Sequence, residues 1–197
     1  MNVKPNRKAE QSQATRSALV ATARSLFAER GYARVGTEEI VRAAGVTRGA
    51  LYHQFTDKED LFRTVYEDVE RELVERIVGV AAGAPDPLEA LRVAASAFLD
   101  ACEDPAVSRI ALIDAPSVLG WEQWREIGLR YGFGLIQGTL EAAMEAGQIE
   151  RRPVRPLAHL LLGAIDEAAL LVARAEDDGE TRREVGDAVA RHIDALR

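Results

Sequence analysis

One cysteine in 197 residues, Cys102, leaves the chain unable to close an intrachain disulfide, and a reducing cytoplasmic setting is the compartment expected. As a small buried hydrophobe Cys102 is easier to place than as a redox switch. Histidines are scarce too: His53, His159 and His192 fall on separate stretches with no i, i+4 partner, so no metal site is expected. Nowhere do 18 apolar residues run uninterrupted. The most apolar stretch, 158–165, ends at Asp166 and Glu167, so no membrane span is expected. Residues 1–10 are polar and basic and lack the apolar core of a signal peptide. Strand-like alternation, internal repeats and low-complexity tracts are missing. So are the signatures of enzyme chemistry. Gly132-Phe133-Gly134 is followed by Gln137 and preceded by no strand, which rejects a dinucleotide fingerprint. Asp166 and Glu167 project about 100° apart on a helix and cannot share one site. No cofactor and no catalytic residues are expected.

What is present is an ordinary globular balance, 47% hydrophobic and 29% charged, with the charge unevenly spread. The whole chain carries −7, yet residues 1–63 hold eleven basic against seven acidic side chains, a net +4, and the remainder carries −11. A basic head on an acidic body suits a protein whose head alone meets phosphate.

Apolar spacing of 3.6 residues recurs almost everywhere, which predicts an all-α fold of about nine helices. After a flexible basic arm over 1–12, helices are expected at 14–30, 38–44, 48–55, 57–82, 87–103, between Pro105 and Pro116, and at 121–146, 156–175 and 180–196. Thr37 and Thr47 are read as helix caps, and Thr56 and Asp57 compete to cap the helix that follows. Domains are expected at 13–63, the basic head, and at 64–197, a larger helical body.

Within the head, Gly45 supplies a positive φ between two short helices, and Ile40, Val41, Ala44, Val46, Leu51 and Phe55 are spaced to share a small core. Thr47, Arg48, Gly49, Ala50, Tyr52 and His53 then face outward from the second helix, a helix-turn-helix arrangement suited to the major groove. The run from Thr37 to Phe55, continued by Asp57-Lys58-Glu59-Asp60-Leu61-Phe62 and preceded by Leu26-Phe27 and Gly31-Tyr32, closely resembles the TetR family of bacterial transcriptional regulators over about residues 14–65. That resemblance implies roles by position. Thr37, Tyr52 and Lys58 would bond backbone phosphates, Lys58 as a flexible point charge. Arg48 and Ala50 would read guanine and a thymine methyl, Thr47 would serve either role, and Gly49 would let the helix lie close to the groove. His53 is either a phosphate contact or a solvated surface residue, and the arm residues Lys4, Arg7 and Lys8 either enter the minor groove or stay free.

For the body, the resemblance implies a homodimer, an effector cavity among the central helices and a palindromic duplex operator. Trp121, Trp124, Gly128, Tyr131 and Leu135 form one helical stripe, either core packing or a pocket wall, and glycines at 128, 132, 134 and 138 thin that helix. The wall candidates are Phe98, Cys102, Ile113, Trp121, Trp124 and Tyr131, with Asp114, His159 and Asp166 as polar anchors for a small lipophilic or aromatic molecule. The last two helices carry apolar residues beyond what one core needs, which points to dimerisation through them. Two rivals stay open: a helical ligand carrier or enzyme with a vestigial helix-turn-helix, and a DNA-binding regulator that takes no ligand.

Overall fold

The computed structural model describes residues 7–176 and 179–197. Among these there are nine helices and no strand. They are α1 (Arg7–Arg30), α2 (Thr37–Ala43), α3 (Arg48–Gln54), α4 (Lys58–Ala81), α5 (Pro87–Ala101), α6 (106–118), α7 (121–145), α8 (Val154–Arg174) and α9 (Glu180–Asp194).

The first three helices owe their geometry to their ends. α1 buries Leu19, Ala23 and Phe27 and stops at Gly31, whose φ of 78° turns the chain into a 3-10 turn at Tyr32–Arg34. It begins at Arg7, so residues 7–12 of the expected arm are helical, while Lys4 lies outside the described residues. α2 is capped by the backbone of Gly36, which makes Thr37 its first helical residue and not its cap. At its other end Val46 N–H donates to Val41 O (3.0 Å) and Gly45 N–H to Arg42 O (3.2 Å), with Gly45 at φ 67°. This is a Schellman closure, open only to a residue that tolerates the left-handed region. Thr47 caps α3 by accepting from Ala50 N–H (3.2 Å), and Asp57, not Thr56, caps α4 by accepting from Asp60 N–H (2.8 Å).

α4 joins head to body. Its Leu61, Phe62 and Val65 pack in the head, with the Phe62 ring 5.3 Å from Phe27 and 5.0 Å from Tyr32. Farther on, its Tyr66, Val69, Leu73 and Ile77 pack in the body, against α5 and α6. The boundary expected at 63/64 therefore falls inside one helix, and a single core runs from Leu19 to Leu196. By length and composition α8 could cross a membrane; here one side of it packs on α5, α6, α7 and α9.

Two body helices are locally wide. α6 runs in π register over Ala106–Asp114 and continues as α-helix through Pro116 to Val118; α7 holds a π-type turn at Leu129–Phe133. Pro116 was expected to stop the helix, and the register explains why it does not. In π register the Ala111 carbonyl would await an N–H from residue 116, which proline lacks. The Trp124 indole N–H donates to that carbonyl instead, at 2.8 Å.

Candidate nucleic-acid interface and internal cavity

α3 is held from beneath by Leu51, fully buried with Ile40 and Phe55. Its C-terminal end is tied to α1: Gln54 donates to Ser12 Oγ (2.7 Å), Arg16 donates to Gln54 O (3.2 Å), and the Arg16 guanidinium lies 4.4 Å from the Phe55 ring centre. Sequence analysis did not anticipate this brace, because the Gln54 carbonyl and the Phe55 face it uses are brought to Arg16 only by the fold.

With its inner face so fixed, α3 presents Thr47, Arg48, Gly49, Tyr52 and His53 to solvent, with Ala50 half-buried beside them. Arg48 extends over the Tyr52 ring (5.6 Å to the centroid) and pairs loosely with Glu38 at 3.7 Å. Both partners are exposed, so that pair is weak and readily exchanged for another acceptor. Thr37 is half-buried at the start of α2.

Lys58 departs from its expected form. Its ammonium donates to the carbonyls of Tyr32 and Val35, both at 2.9 Å, and sits 3.7 Å over the Tyr32 ring. It is a partly buried brace for the turn after α1 and not a flexible point charge; burial lowers its pKa while nearby Asp114 pulls the other way.

Behind the head, a cavity of about 90 Å3 lies among α4, α5, α6, α7 and α8. Of the nine residues expected around it, Phe98, Trp124 and Asp166 line it. The other six lie elsewhere. Trp121 is 67% exposed and Ile113 44% exposed. Tyr131 is half-buried against the core within reach of Arg71, and His159 packs on the Phe133 ring at 4.4 Å. Cys102 is buried, donates to Phe98 O (3.1 Å), and has its thiol pushed up to about 12, the state of an inert hydrophobe. Asp114 accepts from Tyr32 N–H at 2.7 Å, an anchor for the head and not for a guest.

A common cause explains two of these displacements, those of Tyr131 and Ile113, which fall inside π-type stretches. A π-type turn holds more residues than an α-turn, so the face of a helix rotates as it passes through one. The stripe drawn from Trp121 through Leu135 assumed constant period across Leu129–Phe133; Tyr131, inside that turn, leaves the wall, while Leu135, beyond it, lines the cavity. Gly128 and Gly132 do line the cavity, and beyond their own stretch of helix nothing lies within 4 Å of where their Cβ atoms would be.

The cavity's polar end comes from residues the sequence reading did not single out, joined by Asp166. Tyr66 and Glu70 reach in from α4 and Arg125 from α7. Arg125 pairs with Asp166 at 2.5 Å. Tyr66 hydrogen-bonds Glu70, and its hydroxyl also approaches Trp124 O at 3.4 Å. Burial raises Glu70 to about 7 and Asp166 to about 6, with Arg125 restraining the latter. The signal for Glu70 was positional: it continues the buried row Phe62, Tyr66, Leu73, Ile77 at helical spacing.

Comparison with known proteins matches residues 19–65 to a family described as bacterial regulatory proteins, tetR family, and residues 88–196 to the tetracyclin repressor-like C-terminal domain. The chain is 27% identical over 158 residues to the transposon Tn10 TetC protein of Escherichia coli, covering 80% of each. It is 42% identical over 84 residues to the HTH-type transcriptional regulator AcrR of Shigella flexneri, 42% of this chain and 39% of that one. Its fold is similar to the crystal structure of a TetR-family transcriptional regulator from Pectobacterium atrosepticum, with a TM-score of 0.84 and 32% identity over 95% of this chain and 96% of that chain.

Proposed function

The chain belongs to the TetR family of bacterial transcriptional regulators, and from that premise we propose that it is a cytoplasmic homodimeric repressor, released from a palindromic operator when a small lipophilic or aromatic molecule fills its cavity. Sequence-specific DNA binding through the helix-turn-helix is the family's function and this chain's. The observation that carries the finer reading is the outer face of α3, where Arg48, Gly49 and Tyr52 stand exposed around a capped N-terminus.

On DNA, Arg48 turns from Glu38 to guanine O6 and N7, Ala50 meets a thymine methyl, and Gly49 lets the backbone approach. Thr47 spends its oxygen on the cap and keeps its hydroxyl proton for a base or phosphate. Tyr52, Thr37 and His53 bond phosphates, joined by the one Lys58 donor that the two carbonyls leave over.

Dimerisation runs through α8 and α9. Leu160 is 71% and Leu171 50% exposed on one side of α8, with Gly163, Ala164 and Glu167 between them. On α9, Ala188 and His192 face outward, whereas Val189, Ile193 and Leu196 are buried within the chain itself.

Release follows a short route. Trp124 touches both the cavity and the Ala111 carbonyl of α6, and three residues on, Asp114 holds Tyr32 N–H beside the Lys58 brace. A guest that shifts Trp124 thereby shifts the anchor of the head.

Selection from a random duplex pool tests the reading. A palindromic consensus is expected, bound with steep salt dependence, and Arg48→Ala is expected to cost about 1–3 kcal/mol and to relax one position per half-site. Unchanged base preferences in that variant would remove Arg48 from its role. Failure to enrich any duplex would leave the cavity serving a carrier or an enzyme.

A further inference from the structure

The cavity's walls are apolar, yet its charges do not balance. It is lined by two carboxylates, Glu70 and Asp166, and by one basic side chain, Arg125. Arg125 is committed to Asp166 at 2.5 Å. Glu70 is left with the Tyr66 phenol as its hydrogen-bond partner, which can donate a proton to it but supplies no positive charge. A charge taken out of water needs a counter-charge or a proton.

We propose that the cavity takes a small organic cation, an apolar body bearing one protonated amine, with the ammonium seated between Glu70 and Asp166. This deepens the effector reading above and rests on it for its biological sense. The rest of the lining suits such a guest. Tyr66, Phe98 and Trp124 offer aromatic faces, which attract cations, and Leu73 and Ile77 hold the hydrocarbon. Half-buried Phe98 and Leu135 are the walls that can turn aside for a bulkier guest. An anion is disfavoured because it would meet two carboxylates with the one guanidinium already paired. A neutral alcohol satisfies hydrogen bonds and leaves the Glu70 charge unanswered.

The empty cavity meets its imbalance by holding a proton, since burial lifts Glu70 to about 7 and Asp166 to about 6. The groups around Glu70 are few. Tyr66 on its own helix is held in the protonated form, Cys102 just past the end of α5 stays a thiol, Arg125 comes from α7 and Asp166 from α8, and α6 contributes Leu112. An incoming ammonium displaces the proton from the pair. Its binding therefore strengthens as pH rises through 7 and releases up to one proton, whereas an anion would take one up.

The test is calorimetry on the full chain with benzylamine, benzyl alcohol and benzoate, at pH 6 and pH 8 and in two buffers of different ionisation enthalpy. At pH 8 benzylamine is expected to bind at least about tenfold more tightly than benzyl alcohol, with benzoate weakest. Its affinity is expected to fall about tenfold at pH 6 while that of the alcohol holds. Glu70→Gln should erase the preference for the amine and leave the alcohol unaffected. Asp166→Asn, which frees Arg125, should turn the preference toward benzoate. Equal binding of amine and alcohol at pH 8, benzoate as the tightest of the three, or no binding by any at millimolar concentration would each overturn the proposal. Operator binding measured in parallel keeps the two readings apart. Benzylamine that binds by these rules without loosening DNA would sink the effector reading alone, and benzoate that binds and releases DNA would sink the cation alone.

Discussion

In the head, residues 7–57, irregular backbone is confined to the joints between helices: Gly31 and Gly45 take positive φ, and α1, α2 and α3 are regular within. The body has such joints too, at Gly120, Gly147 and Gly179, and in addition carries irregular backbone inside its helices, in the π-type stretches of α6 and α7. The head also carries its working side chains outward on a small filled core, while the body turns Glu70, Asp166 and Arg125 inward around a space. The difference teaches how one continuous core would serve the two tasks proposed for it. Reading DNA demands a face whose spacing does not vary, and regular helices pinned at their ends supply it. Responding to a guest demands a wall with more than one arrangement, and a helix already out of α register has its alternative close at hand.

The contrast can be broken at four places. The largest effect is expected from Leu171→Glu, which adds charge to the exposed apolar side of α8 and, in a dimer, costs about 3–5 kcal/mol of association. Sedimentation at micromolar concentration should find monomers for the variant and dimers for the unaltered chain. Ile193→Glu would be the wrong probe, since Ile193 is fully buried in its own chain and that variant attacks folding.

Next is Leu51→Ala, which removes the fully buried support of α3 at a cost of about 3 kcal/mol. DNA binding should be lost before binding of small molecules to the body. Parallel loss of both would mean that head and body respond as one unit.

Glu70→Gln acts on the body through pH. Glu70 is raised to about 7 when folded and titrates lower when unfolded, so the folded chain holds the extra proton between those values. Stability must then fall as pH climbs from 5 to 8, and the variant should fall less, gaining about 2 kcal/mol over the unaltered chain at pH 8. Asp166 continues to contribute in the same direction. Thermal melts across that range check it, and identical slopes would mean that Glu70 is not desolvated.

The smallest effect is expected from Trp124→Phe. It strips the Ala111 carbonyl of its donor, for about 1–2 kcal/mol, and should leave DNA affinity of the empty protein unchanged. A changed affinity would show that the cavity wall sets the head even without a guest.

The head was legible in the sequence because its determinants are local. Ile40, Leu51 and Phe55 lie within sixteen residues of one another, and Gly45 marks the turn they share. The cavity was legible only in part. Gly128 and Gly132 pointed to the right helix, and Phe98, Trp124 and Asp166 were found, but the π-type turns shifted the phase on which Tyr131 and Ile113 were chosen. Lys58 was misjudged for a different reason: its partners are the backbone carbonyls of Tyr32 and Val35, and a residue string does not display where carbonyls point.

α4 gives the molecule a mechanical advantage. It is 24 residues long, so about 36 Å separates its capped start beside the head from its end beyond the cavity. Pivoted at the far end, a tilt of about 5° sweeps the near end through roughly 3 Å, close to the 3.4 Å rise of one base pair. In the dimer proposed above, two heads moved in opposite senses would part by nearly two base steps, which would put both recognition helices out of register with the groove.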